Sequence, residues 1–418
     1  MKLVALELVN FRAFEKLHIQ FPEKEGGLTV LLGINGSGKT SILEGIATAL
    51  RPLQGIFAGN QHQTGQFNKE QVRTHVHSLG SKITFEKEQV YKYTAHLTVN
   101  GKNISWFYTN NGGNLQEITD YGNQLVRQVV NGARVELPLF VFYSINRYWS
   151  ANIGKIDPLP LGSRLDPYKD CLDPKPELET LYEWFKRMHL ILLEDGDVPE
   201  ELAAVRNIFS DFLSVLLESK DSVKIRYSVK HDELLLQLHK NQDWQPFTML
   251  SDGYRNLLGM VGDIAFRCAE LNPHNVQKTS GLVLIDEPEL HLHPKWQRNL
   301  IPALRKAFPN VQFVLATHSP LILGGVRKEN VLVLEGYKIV NKSSPYGKDP
   351  NSVLSEIFDL KKYPPEMQRE FDKLYRLMDD PAHIKETESL LRELEETYGY
   401  YHEEVVRARA HFNTLNTV

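Results

Sequence analysis

The sequence predicts an α/β fold built around a phosphate-binding loop, and three stretches carry that prediction. An apolar run, Leu28–Leu32, enters a glycine-rich turn, and a helical pattern leaves it near Lys39. A second apolar run, Gly281–Asp286, ends in the paired carboxylates Asp286 and Glu287. A third, residues 311–316, ends just before His318. Short, wholly apolar strands between helical segments are the pattern of a buried, mostly parallel sheet.

The first turn reads Gly33-Ile-Asn-Gly-Ser-Gly38-Lys39-Thr40, which fits G-x-x-x-x-G-K-[ST]. Its glycines let successive backbone N–H groups converge on phosphate oxygens where side chains would collide. The following helix points its positive dipole end at the same anion. Asn35, Gly36, Ser37, Gly38, Lys39, Thr40 and Ser41 are therefore the expected cradle. Lys39 reaches the β- and γ-phosphates, and the Thr40 hydroxyl is placed to coordinate Mg²⁺. A plain surface turn before a helix is the simpler account, but it leaves the order of strand, loop and helix unexplained. The expected ligand is a nucleoside triphosphate.

With 418 residues, 42 % of them hydrophobic, the chain can bury a large core, as one domain with insertions or as two. A net charge of −4 carries no global signature of a nucleic-acid binder, although a local basic groove fits within it. Cys171 and Cys268 stand far apart without ligand spacing. That argues against a zinc site or disulfide framework and for reduced thiols in a cytoplasmic protein. The opening MKLVALELVNF carries Glu7 and is unlike a signal peptide. No apolar run approaches the roughly eighteen residues of a membrane span.

Along the chain, residues 2–9 and 17–21 read as strands on either side of NFRAF. Residues 51–68 are Gly/Gln-rich without a period and read as a loop. From 83 to 108 the pattern is β, with Asn100-Gly101 as a hairpin turn, which gives an antiparallel layer beside the nucleotide site. The apolar strand 138–143 ends at Ser144-Ile-Asn-Arg147. Pro, Gly and Asp break the chain over 151–176. Helical spacing at 178–194 (Leu181, Trp184, Phe185, Met188) and 200–218 (Leu202, Val205, Ile208, Phe212) makes about 151–220 a short helical insertion. Strands at 223–229 and 233–239, a helix from Ser251 to about Glu270, a helix at 295–308 and a hairpin at 331–341 complete a head spanning 1–345. Residues 346–418 form a charged helical segment for oligomer or partner contacts, with Ile384, Leu391, Leu394 and Tyr398 on one stripe.

The strand before Asp286 places that carboxylate beside Mg²⁺, and Glu287 beside the attacking water as general base. A whole β layer and the helical insertion separate Lys39 from Asp286, far more than one βαβ unit holds. Leu250-Ser-Asp-Gly-Tyr-Arg255 opens a helix between the two motifs. Its Ser251 and Gly253 offer a hydroxyl, backbone N–H groups and a helix dipole to an anion. Ordinary N-capping by Ser251 is the plainer account of the same residues. His318 stands at a strand end, placed to contact a γ-phosphate, where a purely structural hydrogen bond is the alternative. A metal site of His291, His293 and His318 is disfavoured, because no Cys completes a set and the nearby carboxylates have nucleotide roles.

Together NFRAF, GINGSGKTS, LSDGYR, LVLIDEPELHLHP and ATHSP resemble the RecF/SMC branch of ABC-type ATPases. More narrowly they resemble the overcoming-lysogenization and RecF-like group, with a short insertion in place of a long coiled coil. The resemblance covers roughly residues 1–50, 137–147 and 245–345. It implies an ABC-type head with mixed β-sheets, ATP and Mg²⁺ as cofactors, and two heads that sandwich two ATPs. Each ATP would meet the phosphate loop of one protomer and the signature of the other. Carried over, Ser251 and Gly253 contact a γ-phosphate in trans, Arg12 lies near the nucleotide and His318 senses hydrolysis. His293 stands where many such proteins have a D-loop Asp, and Gln61, Gln63 and Gln66 are all candidates for the Q-loop glutamine.

Tyr346-Gly-Lys-Asp-Pro-Asn-Ser-Val-Leu and the charged helical tail are similar to the ATPase subunits of Septu-type anti-phage systems and their retron-associated relatives. That likeness implies an ATPase forming a homodimer or higher homo-oligomer, paired with a separately encoded HNH-type nuclease. A helical lid packing on the head is the plainer reading of the tail. No Cys or His pairs suit an HNH module, and the stretch after Thr317-His318 is too short for a Toprim domain, so no intrinsic nuclease is expected. Two further readings compete. One is a RecF-like repair ATPase touching DNA through Lys224, Arg226 and Lys230, residues that also read as a solvated strand face. The other is a transporter motor, which chain length, ELHLHP and NFRAF disfavour.

Overall fold

The computed structural model describes residues 1–22, 27–59, 66, 68, 70–79, 82–88, 90–145, 162–173, 178–219, 223–238, 242–358 and 363–415. They divide into two compact units, Met1–Pro350 and Asn351–Val418. At the centre of the first is a six-stranded sheet in the order Lys338–Val340, Val331–Glu335, Leu28–Leu32, Val311–Thr317, Gly281–Asp286, Leu139–Tyr143. Neighbours run parallel except the first pair. The last four strands are buried along their whole length, so their sequences are mostly apolar rather than alternating, with Thr29, Gln312, Thr317 and Asp286 as buried polar exceptions. Register sets Thr317 opposite Leu32 and Asp286 opposite Ala316. The phosphate loop, Glu287 and His318 therefore leave the sheet from one edge, the end where open α/β sheets bind ligands.

A five-stranded antiparallel sheet orders Phe14–Gln20, Lys2–Phe11, Lys92–Val99, Lys102–Thr109 and Gly112–Asn114. Asn100 and Gly101 both take left-handed backbone, with φ of 50° and 77°, the paired geometry a two-residue hairpin turn favours. This layer packs on the helix Lys39–Phe57: Leu8 lies against Gly45, and the Trp106 indole N–H donates to the Ala49 carbonyl at 2.9 Å. The Gln312 amide joins it to the central sheet, meeting the Leu3 N–H at 2.8 Å and the Leu3 carbonyl at 3.0 Å. The expected strand near residue 83 does not belong to this layer. Lys82–Lys87 pairs instead with Thr74–Leu79 as a separate ribbon.

The expected loop from residue 51 is helical as far as Phe57. Pro52 inside that helix would cost about 3 kcal/mol or more by itself. Beyond it Leu53 and Phe57 are buried, and Phe57 packs on Tyr168 with ring centroids 4.4 Å apart. Packing overrides the local breaker. The helix Gln116–Val130 is not apparent from periodicity, because only Ile118, Gly122 and Leu125 are buried along it.

The insertion contributes the helices Leu178–Asp195 and Glu200–Leu216, and the eight apolar residues expected inside are all buried. Residues 151–161, 174–177 and 220 of that insertion lie outside the described residues. Leu181 and Phe209 close on Gly262 of the helix Asp252–Leu271. A buried polar cluster fixes the other side of the same helix. The Tyr143 hydroxyl donates to Asp263 at 2.5 Å, and Arg267 donates to Asp263 at 2.8 Å and to Asp170 at 3.0 Å. Burial beside these carboxylates holds the Tyr143 hydroxyl well above its usual range.

The second unit packs the helices Pro365–Met378, Ile384–Tyr398 and Glu403–Leu415 around Phe371, Leu374, Leu391, Leu394 and Phe412. Leu391 and Leu394 follow the expected stripe and Tyr398 is packed against it. Ile384 does not: it opens its helix exposed, and burial begins one turn later at Thr387. No described helix is long and apolar enough to cross a membrane.

At Gly281 the parallel pairing leaves no room for a side chain, since a Cβ would lie 1.9 Å from the Leu139 carbonyl oxygen. Gly281→Ala is expected to destabilise the protein by about 1–3 kcal/mol. An unchanged denaturation midpoint would show that this pairing yields to a methyl group.

Candidate active site

Leu28–Leu32 delivers the chain into a loop whose Gly36 and Gly38 have φ of 81° and 102°. Side-chain-bearing residues rarely adopt those values. A Cβ at Gly38 would also strike the Phe14 ring at 2.5 Å. Lys39 folds back on the loop, its Nζ donating to the Gly33 carbonyl at 2.8 Å and to the Ile34 carbonyl at 3.2 Å. The same nitrogen stands 3.9 Å from Glu287 Oε1. Burial lowers the Lys39 pKa, and the surrounding Glu287, Asp286 and Glu289 oppose that shift.

The Thr40 hydroxyl donates to Asp286 Oδ2 at 2.7 Å. Mg²⁺ takes oxygen ligands and usually a substrate phosphate, so this hydroxyl and carboxylate suit it. Ser37 Oγ, in the same loop, is buried with no hydrogen-bond partner among the described residues. A phosphate oxygen would satisfy it.

Glu287 leaves the strand with left-handed backbone, φ 47°, its N–H donating to the Ala316 carbonyl at 2.8 Å. Such a conformation costs a non-glycine residue of order 1 kcal/mol or more. It sets the carboxylate between Lys39 and His318, whose Nδ1 lies 2.7 Å from Glu287 Oε2. Glu289 sits behind this pair, buried, accepting a hydrogen bond from Thr317 and lying 4.0 Å from His318 Nδ1. Burial raises the Glu289 pKa, and the adjacent Glu287 raises it further.

A cavity of about 510 Å³ opens over these groups. It brings together Arg12, Asn35, Gly36, Ser37, Gly38, Lys39, Thr40, Ser41, Glu287 and His318, with Asp286 behind Thr40. Arg12 reaches it from the turn between the first two strands, where it also pairs with Glu44. Glu289, Ile145 and Tyr337 join the lining without having been singled out by motif. Glu289 had a legible signal as the next carboxylate of DEPE, whereas Ile145 and Tyr337 reach the site only through tertiary folding. Gln61, Gln63 and Arg147 lie outside the described residues, and Gln66 is not part of the lining.

Ser251 and Gly253 are not in this cavity. Ser251 is exposed at the head of its helix, and its side chain makes no capping bond, so the plain N-cap account fails. Arg255 steadies the turn by donating to the Thr248 and Leu250 carbonyls at 2.9 and 3.1 Å. Gly253 is pressed against the His291 carbonyl, which a Cβ would approach to 2.4 Å. Tyr254 packs on Trp296 at 4.2 Å, joining this helix to Pro294–Ala307. His293 caps that second helix, its Nδ1 accepting from the Lys295 N–H at 3.2 Å. The three histidines therefore do not converge. Among the described residues it is Glu287, Glu289 and His318 that offer ligand atoms within 4.8 Å of one another.

A phosphate cradle facing strand-end carboxylates across one sheet edge defines the class, a P-loop ATPase. The family model described as "AAA domain, putative AbiEii toxin, Type IV TA system" matches residues 28–324, and the chain belongs to that family. It is 26 % identical to the "Retron Vc95 probable ATPase" of Vibrio cholerae serotype O1 biovar El Tor, over 84 % of this chain and 77 % of that one. Identity to the "Retron Ec83 probable ATPase" of Escherichia coli is 24 %, over 91 % and 79 % respectively. The "Septu protein PtuA" of Bacillus mycoides (strain KBAB4) is 25 % identical over 95 % of this chain but only 50 % of its own.

Because burial favours the protonated Glu289, the folded chain holds a proton that the unfolded chain releases near pH 4.3. That stabilisation is complete below the ordinary carboxylate range and is lost as pH rises through the elevated value. Glu289→Gln keeps an acceptor for Thr317 and removes the titration. Its melting temperature relative to wild type should climb from about pH 5 to 8; a difference constant with pH would contradict the assignment.

Proposed function

We propose that this chain is the ATP-binding and ATP-hydrolysing subunit of a cytoplasmic anti-phage defence complex. In this reading, ATP-dependent assembly of two heads regulates a nuclease supplied by a separate HNH-type chain. The observation that carries the hydrolytic part is Glu287, buried between Lys39 and His318 at the mouth of the phosphate cradle. The similarity to retron ATPases and to Septu PtuA supports the defence setting.

Lys39 exchanges its two loop carbonyls for β- and γ-phosphate oxygens. Thr40 and Asp286 would hold Mg²⁺, which when bound would supply charge neutralisation on those oxygens. Glu287 accepts the proton of the attacking water, and His318, 2.7 Å away, orients its carboxylate. Ser251 and Gly253 lie outside the cavity of their own chain, and the exposed Ser251 hydroxyl is free of capping duty. Both features support a role on the γ-phosphate of a second copy, in a homodimer or larger homo-oligomer. Closure is then linked to ATP and opening to hydrolysis. Residues 346–418 serve oligomer or partner contacts.

A second reading, a RecF-like repair ATPase on DNA, draws on one surface. Lys224 and Arg226 are exposed on the strand Lys224–Ser228, and the Arg226 guanidinium lies over the Trp244 ring at 4.1 Å. Direct DNA binding there would weaken steeply with salt.

Lys39→Ala is expected to abolish ATP binding, and unchanged affinity would overturn the site. Glu287→Gln should retain ATP, slow turnover by about 10²-fold or more and accumulate paired heads on size-exclusion chromatography. Wild-type turnover in that variant would remove Glu287 as the base. The purified chain with Mg²⁺ should leave plasmid DNA intact, and cleavage would refute a nuclease supplied in trans.

A further inference from the structure

The phosphates and the hydrolytic groups account for most of the cavity lining, but not for the part that would meet a nucleobase. On the nucleotide reading, phosphates would occupy the loop and helix start, and Glu287, Glu289 and His318 would face the γ-phosphate. What remains is Arg12, Ala13, Ile145, Leu290 and Tyr337. Tyr337 is the lining residue among these with an aromatic ring.

Its setting is unusual for a tyrosine. Gly336 and Tyr337 form the turn between Val331–Glu335 and Lys338–Val340, with φ of 52° and 64°. Turns of that kind ordinarily take Asn, Asp or Gly, because a bulky residue is strained in left-handed backbone. Burial does not repay the strain, since Tyr337 remains 44 % exposed. The ring is nonetheless positioned: Phe14 meets it edge-on with centroids 6.1 Å apart. Phe14 in turn packs on Gly38, where a Cβ would touch its ring. One aromatic contact therefore sets the Tyr337 ring relative to the phosphate loop. Strain kept at a ligand cavity is a pointer to binding.

We propose that Tyr337 is the nucleobase platform of this site, with a purine of the bound triphosphate stacking on its ring. The proposal rests on the nucleotide site argued above and adds the group that selects a nucleoside over a bare polyphosphate. Stacking accepts any base but gains with its area, so purine triphosphates bind more tightly than pyrimidine ones.

Binding by the full chain can be measured calorimetrically with ATP, CTP and inorganic tripolyphosphate. Tyr337→Asn suits the left-handed turn and removes the ring. It is expected to weaken ATP by about tenfold, to erase the ATP–CTP difference and to leave tripolyphosphate affinity at the wild-type value. Tyr337→Trp should restore ATP affinity, with indole fluorescence that changes on adding ATP but not tripolyphosphate. Wild-type ATP affinity in Tyr337→Asn, or an equal loss of ATP and tripolyphosphate, overturns the proposal. Failure of the wild-type chain to bind either ligand would sink the nucleotide site itself, and this platform with it.

Discussion

Thr40 and Asp286 are 246 positions apart in the chain and meet through a hydrogen bond of 2.7 Å. That contact requires the sheet register to be right, because one residue belongs to the loop after Leu28–Leu32 and the other ends a strand two places away in the sheet. Around it Lys39 faces Asp286, Glu287 and Glu289, an excess of negative charge in a buried setting. Buried carboxylates are costly unless paired or protonated. Thr40, Thr317, His318 and the Lys39 ammonium supply the pairing, and the raised pKa of Glu289 supplies the protonation. The edge of the sheet thus holds three carboxylates at close quarters around one ammonium.

The helix Asp252–Leu271 is tied to the same edge through one strand. Leu139–Tyr143 leads to Ile145, which lines the cavity, while the Tyr143 hydroxyl holds Asp263 in the middle of Asp252–Leu271. At its N-terminus the helix is held by Gly253 against the His291 backbone, four residues after Glu287. Helix and cavity therefore share two connections within one chain, a strand and a backbone contact.

The mostly apolar strands and the glycine loop were legible in the sequence because burial on both faces and phosphate approach each demand particular residues at particular spacings. Their positions in the sheet then brought the motif residues together. What was not legible depends on tertiary partners. Residues 51–57 read as the start of a Gly/Gln-rich loop, yet the helix continues through Pro52 because Leu53 and Phe57 find a core to fill. Gln116–Val130 shows few apolar residues since it covers the first helix with little more than Ile118, Gly122 and Leu125. Ile384 matched a stripe by spacing but lies a turn too early to be covered. Tyr337 and Ile145 carry no motif at all, and only the folded chain brings them to the cavity.

The Gln312 amide that grips both polar atoms of the Leu3 backbone spans 309 positions. A ribosome makes Lys2–Phe11 long before it makes this partner, and closing so long a loop is slow. The same strand finds its sheet neighbours at residues 14–20 and 92–99 and its cover at Gly45, all close by in the chain. The antiparallel layer can therefore assemble from local contacts, and the amide is the late fastening that locks it to the central sheet.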